Sequence, residues 1–455
     1  MISESPVQAF RAALGCQSLC PGEPDYDARR TIHNASIDRR PAIIARCSGA
    51  ADVLACVQFA GEQGLLTSVR GGGHSIAGKA VCDGGLMIDL SAMKGIRVDP
   101  TSRTVRAEPG LTLGEFDRET QAFGLATTLG VVSKTGISGL TLGGGIGWLV
   151  HKHGLACDNL ISVDVVTADG RLLTANATEN EDLFWGARGG NGNFGVVTSL
   201  EYQLHEVGPV LGGGVLYPVA KTREVLRFYR EFAPSCPDEL STQALTFDMP
   251  GIGPVVAVGG CYCGSLDEGE KVLKPLRTFG SPVADLFSAM PYVQLQSMFD
   301  PFFLPGRHDY TKANFIKGLT DDAIDAFAEY ATAPSPYTFG VLEHMGGAFS
   351  RVPATQTAFP HRGHSYNFSI WSSWADPSES EKNIQWTRNF FDAMRPFMTE
   401  GVYVNYLEDE GDPHAREAYG PNYDRMVALK NKYDPTNFFR MNHNIQPSQT
   451  AEAGA

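Results

Sequence analysis

A chain of 455 residues is too long for one ordinary hydrophobic core, so two domains sharing an interface are expected. Apolar residues at 43% and charged residues at 19% indicate a soluble globular protein. The 37 basic and 51 acidic residues leave a net charge of −14, which argues against nucleic acid or an anionic membrane as the main partner, since either would repel a field of that sign.

The opening Met1-Ile2-Ser3-Glu4-Ser5-Pro6 has neither a basic n-region nor an apolar h-region, and no apolar run approaches the roughly 20 residues of a membrane span, so cytoplasm is the expected location. Residues 34–69 read as strand, helix, strand: Ala42-Ile43-Ile44-Ala45 is β-like, and Val53, Leu54 and Val57 fall at helical spacing. This βαβ opening feeds Val69-Arg70-Gly71-Gly72-Gly73-His74-Ser75, and a second strand, Leu86-Met87-Ile88-Asp89-Leu90, follows. Three consecutive glycines leave no side chain between backbone and ligand and allow positive φ, so successive N–H groups can curl round a pyrophosphate. A glycine-rich hairpin turn is the plainer alternative. A Rossmann reading is not supported, because no Gly-x-Gly-x-x-Gly stands between a strand and a helix.

Segment 95–107 predicts a hairpin around Asp99-Pro100-Thr101-Ser102, and Thr112 with Glu115 form a capping box for a helix ending near Gly124. Residues 129–160 are the second glycine-dense stretch: Gly130, Gly136, Gly139, Gly143-Gly144-Gly145 and Gly147. Each costs about 1 kcal/mol against alanine inside an element, so close backbone approach to something planar or charged is expected, with helix–sheet packing accounting for one or two. Strands 161–166, 171–173 and 195–200 follow, with a short helix capped by Thr178 and Glu181. From about 206 to 415, strands at 243–247, 255–262, 337–345 and 365–374 alternate with helices near 221–232, 266–279, 320–330 and 378–394, the last opened by Ser378 and Glu381. An antiparallel sheet covered by helices on one face is the economical arrangement. The nine cysteines form no framework and suggest mostly reduced thiols. Cys261/Cys263 and Cys16/Cys20 lack the second half of a zinc site, and His151-Lys152-His153 and His361-Arg362-Gly363-His364 lack metal-ligand spacing, so no metal is expected and these histidines are placed in loops or at a rim.

With His74 in register behind Arg70-Gly71-Gly72-Gly73, and with matching residues from Asn34 and Arg40-Pro41-Ala42 to Tyr433-Asp434-Pro435-Thr436-Asn437-Phe438-Phe439-Arg440, the chain resembles the berberine-bridge-enzyme-like flavin-linked oxidases. This group lies in the superfamily of vanillyl-alcohol oxidase and cytokinin dehydrogenase. The resemblance implies an α+β, two-domain PCMH-type FAD-binding fold: an FAD-binding domain at 1–205, an antiparallel-sheet substrate domain at 206–415, and a return to the FAD-binding domain at 416–455. It implies FAD bonded through its 8α-methyl to His74. Arg70, Gly71, Gly72, Gly73 and Ser75 would surround the pyrophosphate. Gly130, Val132, Thr135, Gly136, Gly139, Gly143, Gly144, Gly145, Gly147, Asn159, Val197, Asn442 and Asn444 would lie along the cofactor, with His443 a further polar neighbour. Only a neutral imidazole can attack the flavin methyl, so burial or a cation such as Arg70 should depress protonation of His74.

Relatives with a second flavin bond carry a cysteine where this chain has Val132, so a single attachment is expected, and Cys157 is expected to be a buried structural thiol. Gly130 falls where a small residue admits dioxygen, which favours an oxidase. Tyr403-Val404-Asn405-Tyr406 reads as strand-like and matches an element whose second tyrosine acts as base, making Tyr406 the candidate proton acceptor. Tyr366 and Asn367 are further catalytic candidates, Asn367 falling where the alkaloid-cyclising plant members carry a catalytic glutamate. With no carboxylate at 367, berberine-type cyclisation is not expected. Arg307, Tyr310 and Lys312 are candidates to face substrate. The expected function is oxidation of an alcohol, phenol or amine carbon of a small molecule, sugars included, with dioxygen reduced to hydrogen peroxide. A flavin dehydrogenase or reductase and a non-catalytic flavin carrier stand as alternatives.

Overall fold

A computed structural model describes residues 4–409 and 413–448. In the first sheet, Ile43–Arg46 and Thr67–Arg70 both pair in parallel with Leu86–Asp89, and Gln17–Leu19 adds an antiparallel edge. Parallel neighbours need a crossover, and the helix Ala50–Glu62 supplies one by burying Val53, Cys56, Val57 and Ala60. The link from Arg70 to Leu86 carries the glycine loop instead of a helix. A five-stranded antiparallel sheet follows, built from Ile96–Asp99, Thr104–Ala107, Val196–Gln203, Leu160–Val166 and Leu172–Asn176 in that spatial order.

The capping box forms as the spacing predicts. The Thr112 N–H donates to Glu115 Oε2 at 2.9 Å and opens the helix Leu113–Gln121. Two other caps differ. Helix Glu181–Ala187 starts from Asn180 at φ 47°, while Thr178 and Glu179 donate instead to Asn176 Oδ1. Helix Ser380–Met394 is preceded by a 3-10 turn in which Asp376, not Ser378, accepts the capping bond.

The large sheet has eight strands, all its pairings antiparallel. It includes Val210–Pro218 and His308–Ile316, which the sequence pattern did not announce. The helices Thr222–Phe232, Leu266–Thr278, Asp321–Glu329 and Ser380–Met394 pack on one face, where Val225, Tyr229, Leu273, Ile324 and Phe390 meet Ala244, Val258, Leu342 and Phe368. Strand alternation therefore sends residues 243, 245, 341, 343 and 367 to the opposite face. That face closes over the glycine loops. The C-terminal helix Tyr423–Tyr433 packs against Glu181–Ala187, and the fully buried Lys430–Asp434 pair, 2.7 Å apart, holds the segment that follows. Among the described residues no helix is long and apolar enough to cross a membrane.

Candidate active site

The two glycine-rich stretches cross. A Cβ on Gly72 would sit 2.5 Å from both Cα and N of Gly136, so the backbones touch and neither position admits alanine without displacement. Gly73 has φ +73°, a conformation that favours glycine, and the loop turns there to present His74. One cavity of about 280 Å³ runs along this crossing. Its wall includes Gly71, Gly72, Gly73, His74, Ser75, Gly130, Val132, Thr135, Gly136, Gly139, Val197, Asn442 and His443. A Cβ on Gly139 would meet nothing within 4 Å, so this glycine leaves cavity space that a larger side chain would fill.

His74 Nε2 is buried with no hydrogen-bond partner among the described residues. Its ring lies against that of His33, centroids 4.1 Å apart and tilted by 33°. Burial, then the neighbouring imidazole, pushes His74 down to about 3, and burial pushes His33 down to about 4. His74 is therefore a neutral nucleophile with an open nitrogen. Its neutrality owes nothing to Arg70, whose guanidinium turns away to donate to the Arg29 carbonyl and packs beneath Gly73. The residues present fit FAD: a neutral imidazole and a buried Asn442 Oδ1, neither with a partner among the described residues, and a side-chain-free wall suited to a pyrophosphate.

Four further histidines resist protonation through burial. His33 and His361 are pushed down to about 4, and His153 and His344 to about 3. Unfolding releases them to the ordinary value of 6.5, so the unfolded chain binds protons first. Stability is then lost as pH falls from 6.5 towards 4, each histidine contributing up to about 1.4 kcal/mol per pH unit. Thermal scans in this window should show a steadily falling Tm; a flat Tm would show that these rings are solvated.

The sheet face opposite the helices supplies the other wall. Cross-strand register places Gln243, Glu343 and Asn367 in one polar row and Leu245, Val341 and Ser369 in the next. Phe339 and Trp371 are paired beyond them. Asn367 Nδ2 donates to Glu343 Oε2 at 2.6 Å, and the Tyr406 hydroxyl lies 3.5 Å from Glu343 Oε1. Glu343 is 8% exposed, and burial raises its carboxyl to about 7, partly offset by the bonds from Asn367 and Tyr406. Burial, followed by the Glu343 charge, pushes the Tyr406 phenol well up. The carboxylate is thus the better proton acceptor and the phenol the donor to it. The strand adjacent to Asn367 thus sets a buried carboxylate beside it.

Residues 403–406 are not a strand. Val404–Tyr406 is a 3-10 turn, and this turn is what aims Tyr406 at Glu343. Gly143, Gly144, Gly145 and Gly147 are absent from the cavity wall. Gly143 packs on Asn405, Gly144 on Phe359 and Tyr403, Gly145 on Ala156, and Gly147 on the Leu129 carbonyl. The Gly145 N–H donates to the Tyr403 hydroxyl at 2.9 Å, and Asn405 Nδ2 to the Leu140 carbonyl at 2.9 Å. Gly143, Gly144 and Gly145 hold the Tyr406 turn and Gly147 packs on the backbone at 129–130, so packing explains more of these glycines than expected.

Strand alternation sends Tyr366 to the helix side, against Tyr229, while Asn367 faces Glu343. Asn159 is occupied behind the wall by the His153 and Leu155 carbonyls and by His205, and Asn444 and Arg70 also lie off it. Arg307 stacks on Tyr337 and bonds Ser373; Tyr310 faces Arg388 and Lys312 faces Phe391, on the helix side. His151 and His361 are buried, their Nε2 atoms 2.8 Å from the His344 and Ala418 carbonyls, and are not rim residues. Cys157 is buried off the cavity wall, with burial raising its thiol. Glu343, Gln243, Trp371 and His33 went unnoticed in the sequence. The available signal for Glu343 was a single carboxylate in the apolar strand Phe339–His344.

Known proteins share this chain's sequence and fold over most of its length. Residues 41–176 match the family described as "FAD binding domain", and residues 402–446 the one described as "Berberine and berberine like". An FAD-linked oxidoreductase of Dictyostelium discoideum is 36% identical over 91% of both chains. (R)-6-hydroxynicotine oxidase of Paenarthrobacter nicotinovorans is 31% identical over 94% of this chain and 96% of its own. The crystal structure of 6-hydroxy-D-nicotine oxidase from Arthrobacter nicotinovorans superposes with a TM-score of 0.88 at 29% identity, covering 95% of this chain and 98% of that one. The chain belongs to the berberine-bridge-enzyme-like family of FAD-linked oxidoreductases, with its two-domain α+β fold.

Proposed function

We propose that the protein is an FAD-dependent oxidase of a small molecule, with the flavin bonded once, through His74, and that it oxidises a carbon bearing a hydroxyl or amine while dioxygen becomes hydrogen peroxide. The observation that carries this reading is the placement of an unpartnered neutral imidazole and a carboxylate–phenol pair on the walls of one cavity. Bound FAD supplies hydride acceptance and the return of two electrons to dioxygen. In this reading residues 1–205 and 416–455 hold the cofactor, and residues 206–415 roof the reacting carbon.

Tyr406 takes the substrate's hydroxyl or amine proton as its own phenolic proton moves to Glu343, so no free phenolate forms. Asn367 fixes the carboxylate by donating to its other oxygen. Val132 offers no thiol and Cys157 lies off the wall, which supports a single attachment. Gly130 on the wall supports access for dioxygen.

Tyr406→Phe should retain bound flavin but slow its anaerobic reduction on the order of 10²-fold, as loss of a proton-transfer group does. In air, the parent should release one peroxide per substrate oxidised. Unchanged reduction kinetics would remove Tyr406 from the mechanism. Substrate oxidation without peroxide would replace the oxidase by a dehydrogenase.

A further inference from the structure

Away from the cavity, three thiols gather at one edge of the first sheet. The antiparallel pairing of Gln17–Leu19 with Ile43–Arg46 ends at Gln17 opposite Arg46, so one step further along the register Cys16 and Cys47 stand opposite each other. The Cys47 N–H donates away from this edge, to the Asp89 carbonyl at 2.9 Å. Toward Cys16 it therefore makes no ladder bond. Non-bonded positions of an antiparallel pair bring Cα atoms to about 4.5 Å, inside the span of roughly 4.4–6.8 Å that a disulfide bridges. Behind Cys47, Cys56 on the helix Ala50–Glu62 reaches its sulfur at 3.8 Å.

One buried carboxylate holds both chain segments in this register. Asp52 Oδ1 accepts from the Gly15 N–H at 3.1 Å, and Oδ2 accepts from the Ser48 N–H at 2.9 Å and its hydroxyl at 2.8 Å. Gly15 and Ser48 are the immediate neighbours of Cys16 and Cys47, so parting the two cysteines would strip a buried carboxylate of its donors. Access differs along the row. Cys16 is half-buried, whereas Cys47 and Cys56 are fully buried, so an oxidant arriving from solvent meets Cys16 first. Interaction with Cys47, then burial, pushes the Cys16 thiol up, which leaves little thiolate and keeps the pair reduced unless oxidant persists.

On these grounds we propose that Cys16 and Cys47 form a site of oxidative modification, a reversible disulfide made by peroxide that straps the N-terminal segment to the sheet feeding the glycine loop. Peroxide oxidises the Cys16 sulfur to a sulfenic acid and releases one water. The Cys47 sulfur then attacks the sulfenic sulfur, the S–S bond forms, and the hydroxyl leaves with the Cys47 proton as a second water. The two electrons lost by the sulfurs are those that cleave the O–O bond. Cys56 stays a thiol behind the bridge. The strap secures the helix Glu4–Ala13, whose Phe10 ring stacks on Phe59 with centroids 4.0 Å apart. Any peroxide serves, so this assignment stands or falls apart from the oxidase reading.

The test exposes the holoenzyme to added hydrogen peroxide for a prolonged period, blocks remaining thiols with N-ethylmaleimide and maps tryptic peptides without reduction. Residues 12–29 should appear joined to residues 47–70, with fragment ions placing the bond between Cys16 and Cys47 and dithiothreitol releasing it. Thermolysin should then cleave the N-terminal segment about 10-fold more slowly than in the reduced chain, because the bridge lowers the population of the opened state. Cys16→Ser should form no link and gain no such resistance, while its flavin content matches the parent's. A parent in which Cys16 passes to sulfinic acid without any link, or in which the bond joins Cys47 to Cys56, runs through Cys20 or occurs only between two copies of the chain, would overturn the assignment without any variant being made. Equal protease resistance gained by Cys16→Ser under peroxide would also overturn it.

Discussion

Replacing Glu343 with glutamine is expected to slow anaerobic flavin reduction by roughly 10²- to 10⁴-fold, the range for loss of a general base. The glutamine keeps an acceptor for the 2.6 Å bond from Asn367 but cannot take a proton. In the parent, burial raises the carboxyl to about 7, so the reduction rate should climb with pH through that value and level off above it. The variant should lack this limb. Folding stability moves the other way. A carboxyl whose folded value exceeds its unfolded value of 4.5 binds protons more readily in the native state, so its unfavourable contribution grows as pH rises from 4.5 and is complete above 7. The variant should therefore be at least as heat-stable as the parent above pH 7, separating lost chemistry from lost fold. A rate that still rises through pH 7 in Glu343→Gln would assign the titration elsewhere.

Lys430→Ala is expected to cost about 3–5 kcal/mol, because it strands a fully buried carboxylate. Lys430 Nζ also donates to the carbonyls of Asn193 at 3.0 Å and Phe439 at 2.8 Å, and Asp434 accepts from the N–H groups of Phe438 and Phe439. This knot ties the C-terminal segment to Asn193, whose side chain in turn donates to the His443 carbonyl and accepts from the Ile445 N–H. Phe439, Asn442 and His443 all line the cavity, so loosening the knot should reduce the fraction of chains that incorporate flavin as well as stability. Differential scanning calorimetry should show Tm falling on the order of 5–10 °C. Adding Asp434→Asn should recover part of the loss, since asparagine still accepts one N–H bond and carries no charge. A single variant within 1–2 °C of the parent, a span worth roughly 1 kcal/mol or less, would show that water enters and solvates Asp434.

Local chemistry made much of this fold legible in the sequence. The Thr112/Glu115 box, the hairpin at 95–107 and the βαβ opening each depend on residues close in the chain, and each forms as expected. The glycine loop was legible because Gly71-Gly72-Gly73-His74 joins backbone freedom and a nucleophile within four residues. Long-range partnership was not. Gly212-Gly213-Gly214 hid the strand Val210–Pro218, although close approach by Leu286 and Gly259 is what requires small residues there. A bulge at Val197/Ser199 broke the period-2 pattern of the strand Val196–Gln203. Tyr403 to Tyr406 has strand-like composition, yet Asn405 and the glycine run at 143–145 bend it into a turn. Glu343 gains its meaning only from register, which sets it beside Asn367 on one strand and Gln243 on another. His33 acquires its role by meeting His74 from 41 residues away, a contact no spacing rule encodes.

The roles proposed for the glycine loops, Tyr406 and Glu343 all depend on the imidazole at position 74 carrying the flavin. Acid precipitation of the purified holoenzyme, followed by flavin fluorescence of the washed polypeptide, measures this directly. Fluorescence should remain with the parent polypeptide and be absent from that of His74→Ala, whose pigment should pass entirely into the supernatant. A parent that gives up all its flavin to the acid, or a His74→Ala chain that still holds it covalently, would contradict the attachment.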